Sequence, residues 1–249
     1  MAPETLSPAV LLIRPQMGEN IGAVARAMMN CGLSELRLVA PRDGWPNSIA
    51  KRVASGAEVI LEEAKLYETL DTAVADLQRL FATTARNREM VKHIVTPRQA
   101  AAELRAAENR GERTGLIFGP ERTGLTSDEL ALAETLVTVP LNPAHPSLNL
   151  AQAVLLLGYE WWIAADETPP SRIASAGSSP APRAVLTDFL ERLEAALDED
   201  GFFRTAEQKP HMLRNLKSFF ARAEPTEQEV RTLHGVVAAL RGARRRPGA

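Results

Sequence analysis

The sequence contains a single cysteine, Cys31, so no internal disulfide can form. That suits a reducing cytoplasm and excludes a zinc cluster built on thiolates. Its four histidines, at 93, 145, 211 and 234, lack metal-ligand spacing, and no bound metal is expected. There is no Walker A sequence, which disfavours a P-loop nucleotide enzyme. The segment PQMGENIGA carries two glycines but not the G-x-G-x-x-G fingerprint, which counts against a nicotinamide-dependent α/β enzyme. No serine sits in a nucleophile elbow with triad partners. The start MAPETLSPAV has neither a charged n-region nor an apolar h-region. The longest apolar run, residues 150–165, is interrupted by Gln152 and Glu160 and does not make a membrane span. The expectation is a cytoplasmic protein with no membrane partner.

What is present is ordinary globular composition, 45% hydrophobic and 24% charged over 249 residues. That allows one large domain, or a domain with an appendage. The net charge of −2 hides an asymmetry. From Arg204 onward there are ten Lys and Arg against four Asp and Glu, leaving 19 basic and 27 acidic residues on the rest. A basic end on an acidic body suggests an anionic partner such as RNA.

Along the chain, Val10 to Arg14 reads as a buried parallel strand ended by Pro15. Asn20 is the expected N-cap of a helix from Ile21 to Cys31, with Gly32 just past its end. Ile21, Val24, Ala25 and Met28 share one face, and Arg26 lies opposite, where packing does not require it. Leu36 to Ala40 gives the second strand, completing a β–α–β crossover. Residues 46–58 suggest a short helix with a Ser-Gly break, and 66–77 a further helix opened by Thr69 and Asp71. Arg79 to Thr84 is a third strand, Thr96-Pro97 starts a helix, and Thr114 to Phe118 is a fourth strand. Ser127 is the expected cap of a short helix before a fifth strand, Val137 to Leu141. Pro140, Pro143 and Pro146 then forbid regular pairing, and apolar residues 150, 153, 154, 157 and 161 recur at helical spacing. Strands alternating with helices predict an α/β fold with a parallel sheet.

Residues 166–183 are rich in Pro, Ser, Ala and Gly and read as a flexible linker. Beyond them, helices are expected over 184–197 and 210–222, and a last one opened by a Thr226–Glu229 capping box.

Three segments gather chemistry: TTAR at 83–86, FGPERTGL at 118–125 and PLNPAHPSLNL at 140–150. Each follows a predicted strand, at the sheet edge where open α/β proteins bind ligands. Gly119 permits close backbone approach, Glu121 and Arg122 supply charge, and Gly124 allows a tight turn.

N-x-G-x-x-A-R at 20–26, I-F-G-P-E-R-T-G-L at 117–125 and V-P-L-N-P-x-x-P-S-L-N-L at 139–150 resemble, in order and spacing, the three motifs of the SPOUT RNA 2′-O-methyltransferases of the TrmH/SpoU family. The likeness covers residues 8–165. Within the family it looks like the TrmJ type, on the Asn142-Pro143 pair and a similar L-R-x-L-x-x-F-F-x-R-A-x-P segment at 213–225. That type methylates the ribose of nucleotide 32 in the tRNA anticodon loop. The resemblance implies a homodimer and a deep C-terminal trefoil knot, which pattern alone would not suggest. It also implies S-adenosyl-L-methionine as cofactor and tRNA as partner.

Carried over, the cofactor site is Thr83, Thr84, Ala85, Gly119, Val139, Leu141, Pro146, Ser147 and Leu148; Pro146 stands where relatives often carry serine. The catalytic set implied is Arg26, Asn20, Glu121, Ser147 and Asn149. The family assigns proton removal to the position of Arg26, but a guanidinium normally stays protonated, so a grip on the adjacent phosphate is the alternative. Candidate RNA contacts are Arg26, Arg86 and Arg122, with Arg204, Lys209, Arg214, Lys217 and Arg222 in the basic segment. The expected layout is a methyltransferase domain over 1–165, the linker over 166–183 and a small all-α domain over 184–249. Other readings are methylation at another tRNA position or in ribosomal RNA, or a catalytically silent RNA-binding protein on the same fold.

Overall fold

The computed structural model describes residues 7–85, 90–170 and 177–244. The chain divides into two compact units, meeting between Thr168 and Pro169.

In the first unit the strands are β1 (Ala9–Ile13), β2 (Leu36–Val39), β3 (Lys65–Tyr67), β4 (Arg79–Thr83), β5 (His93–Val95), β6 (Thr114–Phe118) and β7 (Thr135–Val137). They form one sheet in the order β3-β2-β1-β6-β4-β7-β5, and every pairing is parallel. The helices are α1 (Gly18–Asn30), α2 (Ser48–Ala54), α3 (Glu58–Glu62), α4 (Leu70–Val74), α5 (Pro97–Asn109), α6 (Ser127–Ala131) and α7 (Leu150–Ile163). The sheet is covered on both faces, so its central strands are apolar throughout instead of alternating. Val10, Leu12, Leu116 and Phe118 face the core shared with α1, α5 and α7. Leu11, Ile13 and Ile117 face the opposite core, with Leu70, Leu130 and Leu136.

Several elements depart from the sequence expectation. The first helix starts at Gly18, after Met17, and has no side-chain cap. Asn20 lies inside its first turn, and its Oδ1, the atom a cap would use, accepts from Asn149 Nδ2 while its Nδ2 donates to Glu121. Residues 66–77 are not one helix: the edge strand β3 comes first, then Thr69 caps the short α4. The other edge strand, β5, is three residues long and carries no alternation to reveal it. The strand expected at 137–141 is instead Thr135–Val137, and Leu141 belongs to the loop beyond. Thr126, not Ser127, caps α6, in a capping box with Glu129. Trp161 is core, while Trp162 stays half-exposed beside Gly32.

In the second unit lie α8 (Arg183–Glu199), α9 (Lys209–Ala223) and α10 (Glu227–Arg244). Leu186, Phe189 and Val230 form its small core, with Leu193, Phe220, Leu233 and Val237 around them. Thr226 and Glu229 close the capping box that opens α10; such a cap contributes about 1 kcal/mol.

The N-terminal ends of the strands are fastened by charge. Arg37, fully buried on β2, donates to Glu35 at 2.7 Å, to Asp76 at 2.6 Å and to the Ala73 carbonyl. Arg113 also binds both carboxylates. The Arg37 hydrogen bond lowers the Asp76 pKa to about 2, against an unfolded value of about 3.9. The folded pKa is the lower one, so Asp76 contributes stability above about pH 4 and loses it as pH falls toward 2. Asp76→Asn should cost about 1 kcal/mol at pH 7, since Arg37 keeps Glu35 and the Ala73 carbonyl while solvent screens the half-exposed Asp76. Urea unfolding should also show the variant losing less stability than the wild type between pH 4 and pH 2. An equal acid response would exclude Asp76 from this fastening.

Candidate active site

The strands β6, β4 and β7 are neighbours in the sheet, and their C-terminal ends lie level. Ala82 pairs with Ile117, and Thr83 with Val137. The loops that follow therefore start from one edge. Thr83 Oγ1 donates to the Ile117 carbonyl at 3.0 Å, Thr84 N–H to the Val137 carbonyl at 3.1 Å, and Thr138 Oγ1 to the Thr84 carbonyl at 3.2 Å. After β6 the chain doubles back tightly. A Cβ on Gly119 would stand 2.4 Å from the Leu125 nitrogen and 2.5 Å from the Gly124 carbonyl carbon, so only glycine fits. Gly124 takes φ +67° and donates to the Pro120 carbonyl at 2.9 Å. In the third loop, Asn142 Oδ1 accepts from Ala144 N–H at 3.0 Å. Asn149 then caps α7, accepting from Ala151 N–H at 2.9 Å, while the Gln152 side chain accepts from Asn149 N–H.

The loops enclose a cavity of about 330 Å³. Thr83, Thr84, Ala85, Gly119, Val139, Leu141, Pro146, Ser147 and Leu148 all line it, as do Glu121 and Arg122. Phe118, Leu150, Ala153 and Leu157 also line it; their apolar types read only as core in the sequence.

The catalytic candidates separate into a connected group and one residue apart. Asn20 Nδ2 donates to Glu121 Oε1 at 2.6 Å, and Asn149 Nδ2 donates to Asn20 Oδ1 at 3.2 Å. Glu121 Oε2 also accepts from the Gln16 backbone N–H at 3.2 Å. One carboxylate thus ties the second motif to the start of α1, and Asn20 extends the tie to the cap of α7. Ser147 is exposed at the cavity wall. Arg26 is exposed on α1, does not line the cavity and has no ion-pair partner among the described residues.

A further fastening had no signal in the sequence. Arg14, at the end of β1, binds Glu129 at 2.5 Å. Burial pushes the Glu129 carboxyl up, but the hydrogen bonds from Arg14 and the Thr126 N–H outweigh it and hold the pKa below the ordinary glutamate value. Of the RNA-contact candidates, Arg86 lies outside the described residues. Arg204, Arg214, Lys217 and Arg222 are exposed in the second unit. Lys209 instead pairs with Asp198 at 2.9 Å and Glu194 at 3.4 Å. Among the described residues, no group of three or more His, Cys, Asp or Glu could hold a metal ion. No described helix is long and apolar enough to cross a membrane.

A parallel α/β sheet with ligand-sized loops at one end, and these motifs upon them, defines the class: the chain belongs to the SpoU rRNA Methylase family, which matches residues 7–159. The tRNA methyltransferase TrmJ C-terminal domain matches residues 184–249. The chain is 36% identical over 235 residues to the tRNA (cytidine/uridine-2′-O-)-methyltransferase TrmJ of Pectobacterium atrosepticum, covering 93% of this chain and 95% of that one. It is likewise 36% identical over 239 residues to the protein of the same name from Salmonella typhimurium, with the same coverage. Among solved structures, TrmJ from Z. mobilis ZM4 matches with a TM-score of 0.81 at 45% identity, over 94% of this chain and 99% of that one. Within the family, the chain is of the TrmJ type.

Gly119→Ala forces the 119–125 loop off its own backbone. Calorimetry should show at least about a tenfold loss of affinity for S-adenosylmethionine, with far-UV circular dichroism unchanged. Undiminished affinity would mean that this close approach does not shape the cavity.

Proposed function

We propose that the protein is an S-adenosylmethionine-dependent tRNA methyltransferase that modifies the 2′-hydroxyl of cytidine or uridine at position 32 of the anticodon loop. The observation that carries this reading is the convergence of the three loops on one cavity, in a chain of the SpoU family. The names of its TrmJ relatives supply the substrate class.

The residues fit the cofactor. A cavity of about 330 Å³ is of the size that holds a small cofactor. Its apolar walls, Val139, Leu141 and Leu157, suit a flat base, and the bare backbone at Gly119 leaves room for close contact. When bound, S-adenosylmethionine supplies a methyl carbon already activated by its sulfonium.

The protein's part is then alignment. The Glu121–Asn20–Asn149 chain holds the second motif, the start of α1 and the cap of α7 in fixed relation. Ser147 and Arg122 stand at the cavity where a ribose and its phosphate would enter. Arg26 grips the neighbouring phosphate and orients the hydroxyl, a role that a permanently charged fork suits better than proton removal.

A homodimer and a trefoil knot belong to the same reading. α1 and α7 pack on each other yet leave Met29, Leu155, Tyr159 and Trp162 exposed, which supports a second copy there. The insertion of β6 and β7 on either side of the earlier strand β4 supports the knot. In this layout residues 1–165 carry the chemistry, 166–183 link, and 184–249 add basic tRNA affinity in the cytoplasm.

Purified protein with a tRNA transcript and methyl-labelled S-adenosylmethionine should place one 2′-O-methyl group at nucleotide 32. Methylation elsewhere would overturn the position, and no incorporation would overturn the activity. Arg26→Ala should lower kcat/KM by about 100-fold or more while cofactor affinity stays within about twofold. A fully active variant would remove Arg26 from the mechanism.

A further inference from the structure

α9 stands out in the second unit because none of its residues is buried, although it is 15 residues long. Its inner edge is clear: Phe220 packs edge-on against Phe189, with ring centroids 5.2 Å apart, and Leu213 and Leu216 are half-buried. The adjacent Phe219 meets Phe220 with the two rings perpendicular, yet is 54% exposed, so about half of its surface is left open. At 100° per residue, Phe219 stands on the shoulder between this apolar edge and a polar stripe. Arg222 and Asn215 are its neighbours on that side, and His211 lies a turn before Asn215, 3.3 Å from it.

Charge restricts what can cover this shoulder. No acidic residue occurs between Lys209 and Ala223. Arg214, Lys217 and Arg222 are exposed and make no ion pair among the described residues. A second copy packing its own α9 along the stripe would oppose cation to cation. An unpaired stretch of RNA satisfies both features, since its phosphates meet the arginines and a splayed base offers a face to the phenyl ring. A duplex hides its base faces and leaves Phe219 uncovered.

We propose that Phe219 is a stacking platform for an unpaired base of the substrate RNA, with Arg222, three residues on and on the same side of the helix, holding the adjoining phosphate. This rests on the reading above that the substrate is a tRNA, and adds which chemistry of the tRNA the second unit recognises. The platform is neutral and the clamps are charged, so the two respond differently to salt.

The test is fluorescence anisotropy of labelled tRNA against the full-length protein over a range of salt concentrations. Phe219→Leu should weaken binding about tenfold with the salt slope unchanged. Phe219→Trp should bind as tightly as the wild type, because the stacking face is kept. Arg222→Gln should weaken binding and flatten the slope by about 0.7. Cofactor affinity should not change in any of them. Wild-type binding by Phe219→Leu, a flattened slope in that variant, or a change in its oligomeric state by sedimentation would each overturn the platform. If the wild-type protein methylates tRNA while Phe219→Leu is indifferent, only this inference fails; a wild-type protein that binds no tRNA overturns the underlying function as well.

Discussion

The parallel pairing of β6 between β1 and β4 is the constraint on which the rest of the first unit depends. Leu12 lies opposite Phe118, and Ala82 opposite Ile117, so strands far apart in sequence end at one level. A slip of one residue would exchange Ile117 and Phe118 between the two cores, which the packing on both faces forbids. β7 adds the third end by pairing with β4. Because the strand ends are fixed by hydrogen bonds and burial, the loops after them need little internal structure to meet around a cavity.

The two ends of the sheet then serve different purposes. At the N-terminal end, Arg37, Glu35, Asp76 and Arg113 are locked in mutual ion pairs, an arrangement suited to rigidity. At the C-terminal end, single contacts do the fastening. Glu121 reaches Gln16 and Asn20, Asn149 reaches Asn20, and Glu129 reaches Arg14 while capping its own helix. Each joins segments that the sheet alone leaves independent. Three prolines and a glycine at a close approach keep the loops irregular, leaving backbone groups open to a ligand.

Much of this was legible in the sequence, for physical reasons. The buried strands announced themselves as short apolar runs, and α7 through its repeat at 150, 153, 154, 157 and 161, all buried except the half-buried Ala153. The three loops were legible because glycine, proline and threonine gather at strand ends for steric reasons, while the individual cavity residues came from the family resemblance. The edge strands were not, since β3 and β5 are three residues each and half-exposed, with no pattern to display. The start of α1 was misread because Asn20 is a good cap by type, yet its Oδ1 accepts from Asn149 and its Nδ2 serves Glu121, 101 residues away. Long-range partners of this kind, including Arg14 with Glu129 and Lys209 with Asp198, leave no mark in local sequence.

The central claim is that the loops at 83–85, 118–125 and 138–150 form one ligand site built from backbone. Hydrogen–deuterium exchange of the full-length protein, with and without S-adenosylmethionine, tests it most directly. The account predicts that added protection falls on these three segments together. Protection confined to one of them, or falling at the opposite end of the sheet, would contradict it.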